Sequence, residues 1–245
     1  MTHSSHLAIL VAMHSEAHIL SKALGLSLSS KGSDPFLTFS SEAHPYSIYS
    51  PGTDTNFASF GQPVSMVGKV PMTILTTLIA TRYHPTAYLN LGTAGGIQTQ
   101  GVKIGEIIVA DRLTFHDIHI PLPGYSDYSV REIAVSLPPD LASLPTHHLG
   151  LVSTGESFTS STEDWQALNQ SQALAKDMEA ASIAQTLNYL GISSPLYVVK
   201  SITDTIIEGD LSATSPEEFT QNFDSAMSNL AQFTKSLLPQ LLSTH

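Results

Sequence analysis

Residues 196–205 read LYVVKSITDT. A near-continuous apolar run behind Pro195, with Val198, Val199 and Ile202, is the pattern of a strand covered on both faces, as parallel sheets are. Such a strand should not end in a carboxylate without a reason. Asp204, at the exit of the run, is therefore either a helix cap or a chemical tool.

The same strand-then-helix unit recurs along the chain. HLAILVAM (6–13) feeds SEAHILSKAL, whose Ala17, Leu20 and Leu24 fall at helical spacing before Gly25. A helix over about 71–83 leads into AYLNLGTAGGI, which reads as a strand running into a glycine-rich turn at 92–96. GEIIVADRL and LGLVSTGES are further apolar strands, and DMEAASIAQTLNYLG reads as a helix stopped by Gly191. Segments around 36–39 and 46–49 form an antiparallel hairpin region. Near the C-terminus, Ser215 and Glu218 with Pro216 between them make a capping box, followed by a stripe of Phe219, Phe223, Met227, Leu230, Phe233 and Leu237 that packs on a sheet. The expectation is an α/β fold in one domain, 1–245: a three-layer helix–sheet–helix sandwich with a central mixed, mostly parallel sheet.

Composition narrows the partners. The chain has 10 basic against 21 acidic residues, a formal net charge of −11, which repels nucleic acid and anionic membrane. It has no cysteine, so disulfides, thiolate zinc and a thiol nucleophile are excluded together. His147-His148 and His116-x-x-His119 lack a matching carboxylate frame, so no metal is expected. No basic residue precedes Lys22 and no apolar stretch reaches the roughly 20 residues a span requires, so a cytoplasmic protein is expected.

In doubly wound folds, ligands sit at the carboxyl ends of strands. The polar residues there are Glu16, the 92–96 segment, 153–157, Glu179 and Thr203-Asp204. Glu16 and Glu179 in first helical turns would gain about 0.3–1 kcal/mol from the helix dipole in any case, and Asp204 could simply cap a helix after its strand. Three carboxylates converging without a basic cluster suit acid–base chemistry on an uncharged or cationic substrate.

Five motifs in order, AMHSEA, LGTAGGI, VSTGESF, KDMEAASIA and VKSITD, resemble the methylthioadenosine/S-adenosylhomocysteine nucleosidases of the nucleoside phosphorylase superfamily over about residues 7–223. The loop FHDIHIPLPGY is similar to that of the plant-type members. The resemblance implies a nucleoside phosphorylase-like fold and hydrolysis of the N-glycosidic bond of 5′-modified adenosines without metal or cofactor. On matching positions it implies that Glu16 activates water, Asp204 protonates purine N7 and Glu179 holds the ribose hydroxyls with Met178 and Met13 beside the sugar. It further implies that Phe158 packs on the base, backbone at Thr159 reads the adenine edge, and Thr93, Ala94 and Thr203 line the pocket. Ile120 and Pro123, on the 116–125 loop, would complete the 5′ pocket of a partner subunit in a homodimer.

Adenine leaves poorly as an anion, so the acid must be protonated near pH 7. With an ordinary value near 3.9, a free aspartate is protonated about 0.1% of the time there, and raising it about 3 units costs roughly 4 kcal/mol. Burial and neighbouring carboxylates have the right sign. Lys200, four residues earlier, lies roughly 13 Å along the strand from Asp204 and is expected to pair with another acid.

Two alternatives stand beside hydrolysis. A phosphorylase would hold phosphate with arginine, but the place where such relatives carry it is Asn90, and the only arginines are at 82, 112 and 131. A binding protein would lack one of the carboxylates. Within the hydrolases, 6-amino-6-deoxyfutalosine, a menaquinone precursor with the same leaving group, fits the same contacts. His14, Ser15 and the lack of an aromatic after SATS depart from many relatives and bear on substrate preference.

Overall fold

The computed structural model describes residues 6–29, 35–59, 62–206 and 216–244. In chain order the elements are β1 (Leu7–Leu10), α1 (His14–Ala23), β2 (Ser27–Leu28), β3 (Leu37–Ser40), β4 (Tyr46–Ser50), β5 (Thr53–Ser59), β6 (Gln62–Ser65), α2 (Lys69–Tyr83) and β7 (Ala87–Ile97). They continue with β8 (Ile107–Phe115), α3 (Ser126–Ser129), β9 (Ile133–Ala134), β10 (His148–Thr154), α4 (Thr162–Ser171), β11 (Ala175–Asp177), α5 (Ala180–Tyr189), β12 (Leu196–Ile206) and α6 (Pro216–Ser243).

The central sheet is mixed, in the order β11-β10-β8-β12-β7-β1-β4-β3-β2. Its long pairings, β12 with β7 and β10 with β8, are parallel, and the expected β3–β4 hairpin is antiparallel. Because β11 also pairs with β7, antiparallel, the strands β11, β10, β8, β12 and β7 close into a ring. That closure brings Ala175 and Lys176 of β11 against Gly96 and Gly95 of β7, some way apart along the chain.

Alternation along the strands explains the apolar runs. Along β12, Leu196, Val198 and Ile202 join one core with Met72 and Ile79 of α2 and Ile183 of α5. Tyr197 and Val199 join the opposite core with Leu20 of α1 and Met227, Leu230 and Phe233 of α6. Both faces are covered, each buried aliphatic chain contributing about 1.5–3 kcal/mol, and a three-layer helix–sheet–helix sandwich results.

Three expectations are corrected. The 92–96 segment is not a turn: β7 runs through it to Ile97. Its glycines serve close approach, since a Cβ at Gly95 would lie 3.0 Å from Asp204 Oδ2 and one at Gly96 3.0 Å from Ile202 Cγ2. The DMEA segment does not open a helix: Ala175–Asp177 is a strand, and α5 begins at Ala180. Asp204 does not end its strand but lies within β12, beside a register shift between Ile202 and Asp204 that leaves Thr203 as the extra residue. Ser215 lies outside the described residues; Glu218 Oε2 accepts from Thr205 N at 3.1 Å.

Candidate active site

One cavity of about 410 Å³ is lined by Glu16, Glu179 and Asp204 together, within the size range of small-molecule sites. Met13, Thr93, Ala94, Phe158, Met178 and Thr203 line it too. Thr159 is exposed and outside the lining, as are half-buried Ile120 and exposed Pro123. Each carboxylate reaches the cavity by a different local device.

Glu16 is in the first turn of α1, and its Oε2 accepts from the N–H of Met13, the N-cap residue, at 3.3 Å. The expected place of Glu16 in a first helical turn is thus met, and there it also accepts from the backbone of the N-cap residue. Its other oxygen accepts from both the N–H and the hydroxyl of Thr93 at 2.7 Å. Burial pushes its carboxyl up, against the Thr93 hydrogen bonds and the Lys200 charge.

Glu179 occupies the N-cap of α5 but does not cap it. Asp177 Oδ2 accepts from Ala180 N at 2.9 Å and Thr154 Oγ from Ala181 N at 2.9 Å, so the first turn is satisfied by others. Glu179 is thus free to turn into the cavity, where Oε1 accepts from Gly68 N at 2.9 Å. Gly68 caps α2 with φ of 98°, and a side chain there would collide with Glu156. Burial and then the Asp177 charge push Glu179 up to about 7, opposed by Lys200 and the Gly68 N–H.

Asp204 is buried, and its Oδ1 accepts from Thr203 Oγ at 2.7 Å. Among the described residues its Oδ2 has no hydrogen-bond partner. A buried orphan oxygen is disfavoured as an anion, and burial indeed raises this carboxyl above its ordinary range, against the Thr203 hydroxyl. That oxygen can carry a proton to donate.

Lys200 meets its expected acid: Nζ lies 2.8 Å from Asp177 Oδ2. Burial alone would lower this ammonium, but Asp177, Glu179 and Glu16 together raise it. Sequence reasoning missed Lys176, Asp177 and Phe219, all of which line the cavity. Phe219 meets Phe158 edge-on, ring centroids 5.9 Å apart at 89°. The phenylalanine stripe on α6 hid it among core positions.

None of the three arginines lines the cavity, and Asn90 Nδ2 donates instead to Leu10 O at 3.0 Å. Among the described residues no group of three His, Cys, Asp or Glu side chains could hold a metal, and no helix is long and apolar enough to cross a membrane. The histidines have other partners: His119 with Asp164 at 3.0 Å, His148 with Glu106 at 2.8 Å, His147 with Pro145 O at 2.8 Å, and His116 with Ser153 Oγ at 3.0 Å.

Residues 6–239 match the phosphorylase superfamily, the class to which this mixed sheet and its carboxylate-lined cavity belong. A 5′-methylthioadenosine nucleosidase of Arabidopsis thaliana is 33% identical over 175 residues, 71% of this chain and 62% of that protein, so the match spans under two thirds of that relative. A 5′-methylthioadenosine/S-adenosylhomocysteine nucleosidase of the same plant is 30% identical over 183 residues, 75% of this chain and 68% of that one. The apo structure of Arabidopsis thaliana 5′-methylthioadenosine nucleosidase superposes with TM-score 0.84 at 28% identity, covering 96% of this chain and 95% of that one. The chain belongs to the methylthioadenosine/S-adenosylhomocysteine nucleosidase family of that superfamily.

Proposed function

We propose that the chain hydrolyses the N-glycosidic bond of 5′-methylthioadenosine and S-adenosylhomocysteine, releasing adenine. The observation that carries this is the meeting of Glu16, Glu179 and Asp204 in one cavity, with Asp204 Oδ2 buried and, among the described residues, unpartnered. Asp204 gives its proton to N7 of the purine as the C1′–N9 bond breaks, so the base departs neutral. Water adds to C1′ and passes its proton to Glu16, whose raised carboxyl makes it a stronger base than an exposed glutamate. Glu179 accepts hydrogen bonds from the ribose hydroxyls and, ionised above about pH 7, joins Glu16 in stabilising the oxocarbenium-like sugar. Met13 and Met178 flank the ribose, Phe158 packs on the base, and backbone at Thr159 reads its edge. The absence of arginine from the lining favours water over phosphate as nucleophile.

The whole chain acts as one domain in a cytoplasmic homodimer. Val67 lines the cavity mouth and is exposed, and Val70 and Ile74 on α2 continue the apolar surface at 64% and 55% exposure. On the 116–125 loop Leu122 is 60% exposed. A partner's loop laid there would bring its Ile120 and Pro123 to the 5′ end of the substrate.

Side-by-side turnover of 5′-methylthioadenosine, S-adenosylhomocysteine and 6-amino-6-deoxyfutalosine by purified protein tests the reading. Adenine release from the first two is expected; turnover of the third alone would move the substrate to menaquinone synthesis, and turnover of none would overturn the proposal.

A further inference from the structure

Lys176 is a buried lysine that the hydrolytic scheme leaves without a role, although it lines the same cavity as Asp204. Its neighbour Asp177 turns to Lys200, so by strand alternation Lys176 faces the other way. There its Nζ donates to Phe158 O at 2.6 Å, to Ser160 Oγ at 2.7 Å and, more weakly, to Ser157 O at 3.4 Å. These three residues are the loop proposed to pack on and read the base. A largely exposed loop is thus held by one buried ammonium.

The sheet gives the same side chain a second neighbour. In register, Lys176 of β11 pairs with Gly95 of β7, and Gly95 pairs with Asp204 of β12. Lysine, glycine and aspartate form one row across three strands, and paired residues in a sheet present their side chains to the same face. The middle residue has no side chain, and Asp204 Oδ2 occupies the space its Cβ would take, on the face that Lys176 shares. Asp204 and Asp164 of α4 favour the charged Lys176, and Glu218 of α6 also bears on Asp204. The imidazole of His116 faces Lys176 from the end of β8.

We propose that Lys176 is a positioning residue that clamps the base-reading loop and, across Gly95, sets the acidity of Asp204. Its charge is of little use while Asp204 is protonated. Once the proton has gone to the purine, Asp204 is an anion, and the facing ammonium stabilises that form. The clamp and the acid are thereby linked, since the cation that holds the loop also favours the state reached as the bond breaks. Burial lowers Lys176 to about 8, so in mildly alkaline solution the clamp loses its charge and one of its three N–H donors and weakens.

This inference rests on the nucleosidase reading. The test compares wild type with Lys176→Met and Lys176→Arg by adenine affinity and by the pH profile of kcat/KM. For Lys176→Met, adenine affinity falls by about tenfold or more, as losing charge-assisted hydrogen bonds requires. Its alkaline limb near pH 8 is replaced by one at higher pH, because Asp204 loses its cation. Lys176→Arg keeps the affinity within a few-fold and moves the limb upward. Should Lys176→Met fail to fold by circular dichroism, wild-type adenine affinity must itself weaken with a midpoint near pH 8. An affinity flat from pH 7 to 9.5, or a folded Lys176→Met matching wild type in both readouts, overturns the proposal. A wild type that neither binds adenine nor releases it would sink the nucleosidase reading instead.

Discussion

Lys200 and Asp177 form a 2.8 Å ion pair with side chains 1% and 0% exposed, in the midst of two further carboxylates, Glu16 and Glu179. Asp177 is fully engaged: Thr154 Oγ donates to its Oδ1 at 2.5 Å while Ala180 N and Lys200 share Oδ2. One ammonium therefore balances a buried cluster of acids. Removing it leaves uncompensated charge, which costs about 3–5 kcal/mol. Lys200→Met should lose stability on that scale in urea unfolding, and Lys200→Met with Asp177→Asn should recover part of it. A single variant within about 0.5 kcal/mol of wild type would show that the pair is not structural.

Asp204→Asn keeps the buried volume and the Thr203 contact but has no acidic proton. We expect an unchanged circular dichroism spectrum, retained adenine binding and turnover reduced by about 10²–10⁴. Glu16→Gln should behave alike, because it removes the water's base. An active Asp204→Asn enzyme would remove Asp204 from its assigned role.

Gly95→Ala tests the geometry around the acid. The added methyl would lie 3.0 Å from Asp204 Oδ2 and 3.2 Å from Ile206 Cδ1. Overpacking of this kind costs about 1–3 kcal/mol and displaces the carboxyl. Activity should fall well beyond what the stability loss explains, and activity equal to wild type would mean the site is looser than described.

Stability should depend on pH through two buried groups of opposite sign. His116, held near 4 chiefly by burial, stays neutral where the unfolded chain would take up a proton, so stability falls as pH drops from about 6.5 towards 4. Glu179, raised to about 7, stays protonated where the unfolded chain would not, so stability falls as pH rises from about 4.5 through 7. In Glu179→Gln the decline of Tm between pH 5 and 8 should be shallower than in wild type. Equal slopes would contradict a raised Glu179.

The apolar run of 196–205 was legible as a doubly covered strand because both cores take alternate residues of β12. The three carboxylates and the family were legible because their motifs are local in sequence. What misled was glycine: Gly92 to Gly96 look like a turn, yet they are a strand whose neighbours, Glu16, Lys200 and Asp204, need the space a side chain would fill. Lys176 and Asp177 were invisible because a three-residue strand inside a helix-like segment has no periodicity of its own, and its pairings with β10 and β7 come from far along the chain. An acid two residues before Glu179 was the available signal for Asp177.

The most direct measurement is turnover of 5′-methylthioadenosine in phosphate-free buffer made with oxygen-18 water. The account predicts free adenine and a 5-methylthioribose carrying one labelled oxygen at C1. Turnover that requires phosphate, with an unlabelled sugar 1-phosphate as product, would contradict it.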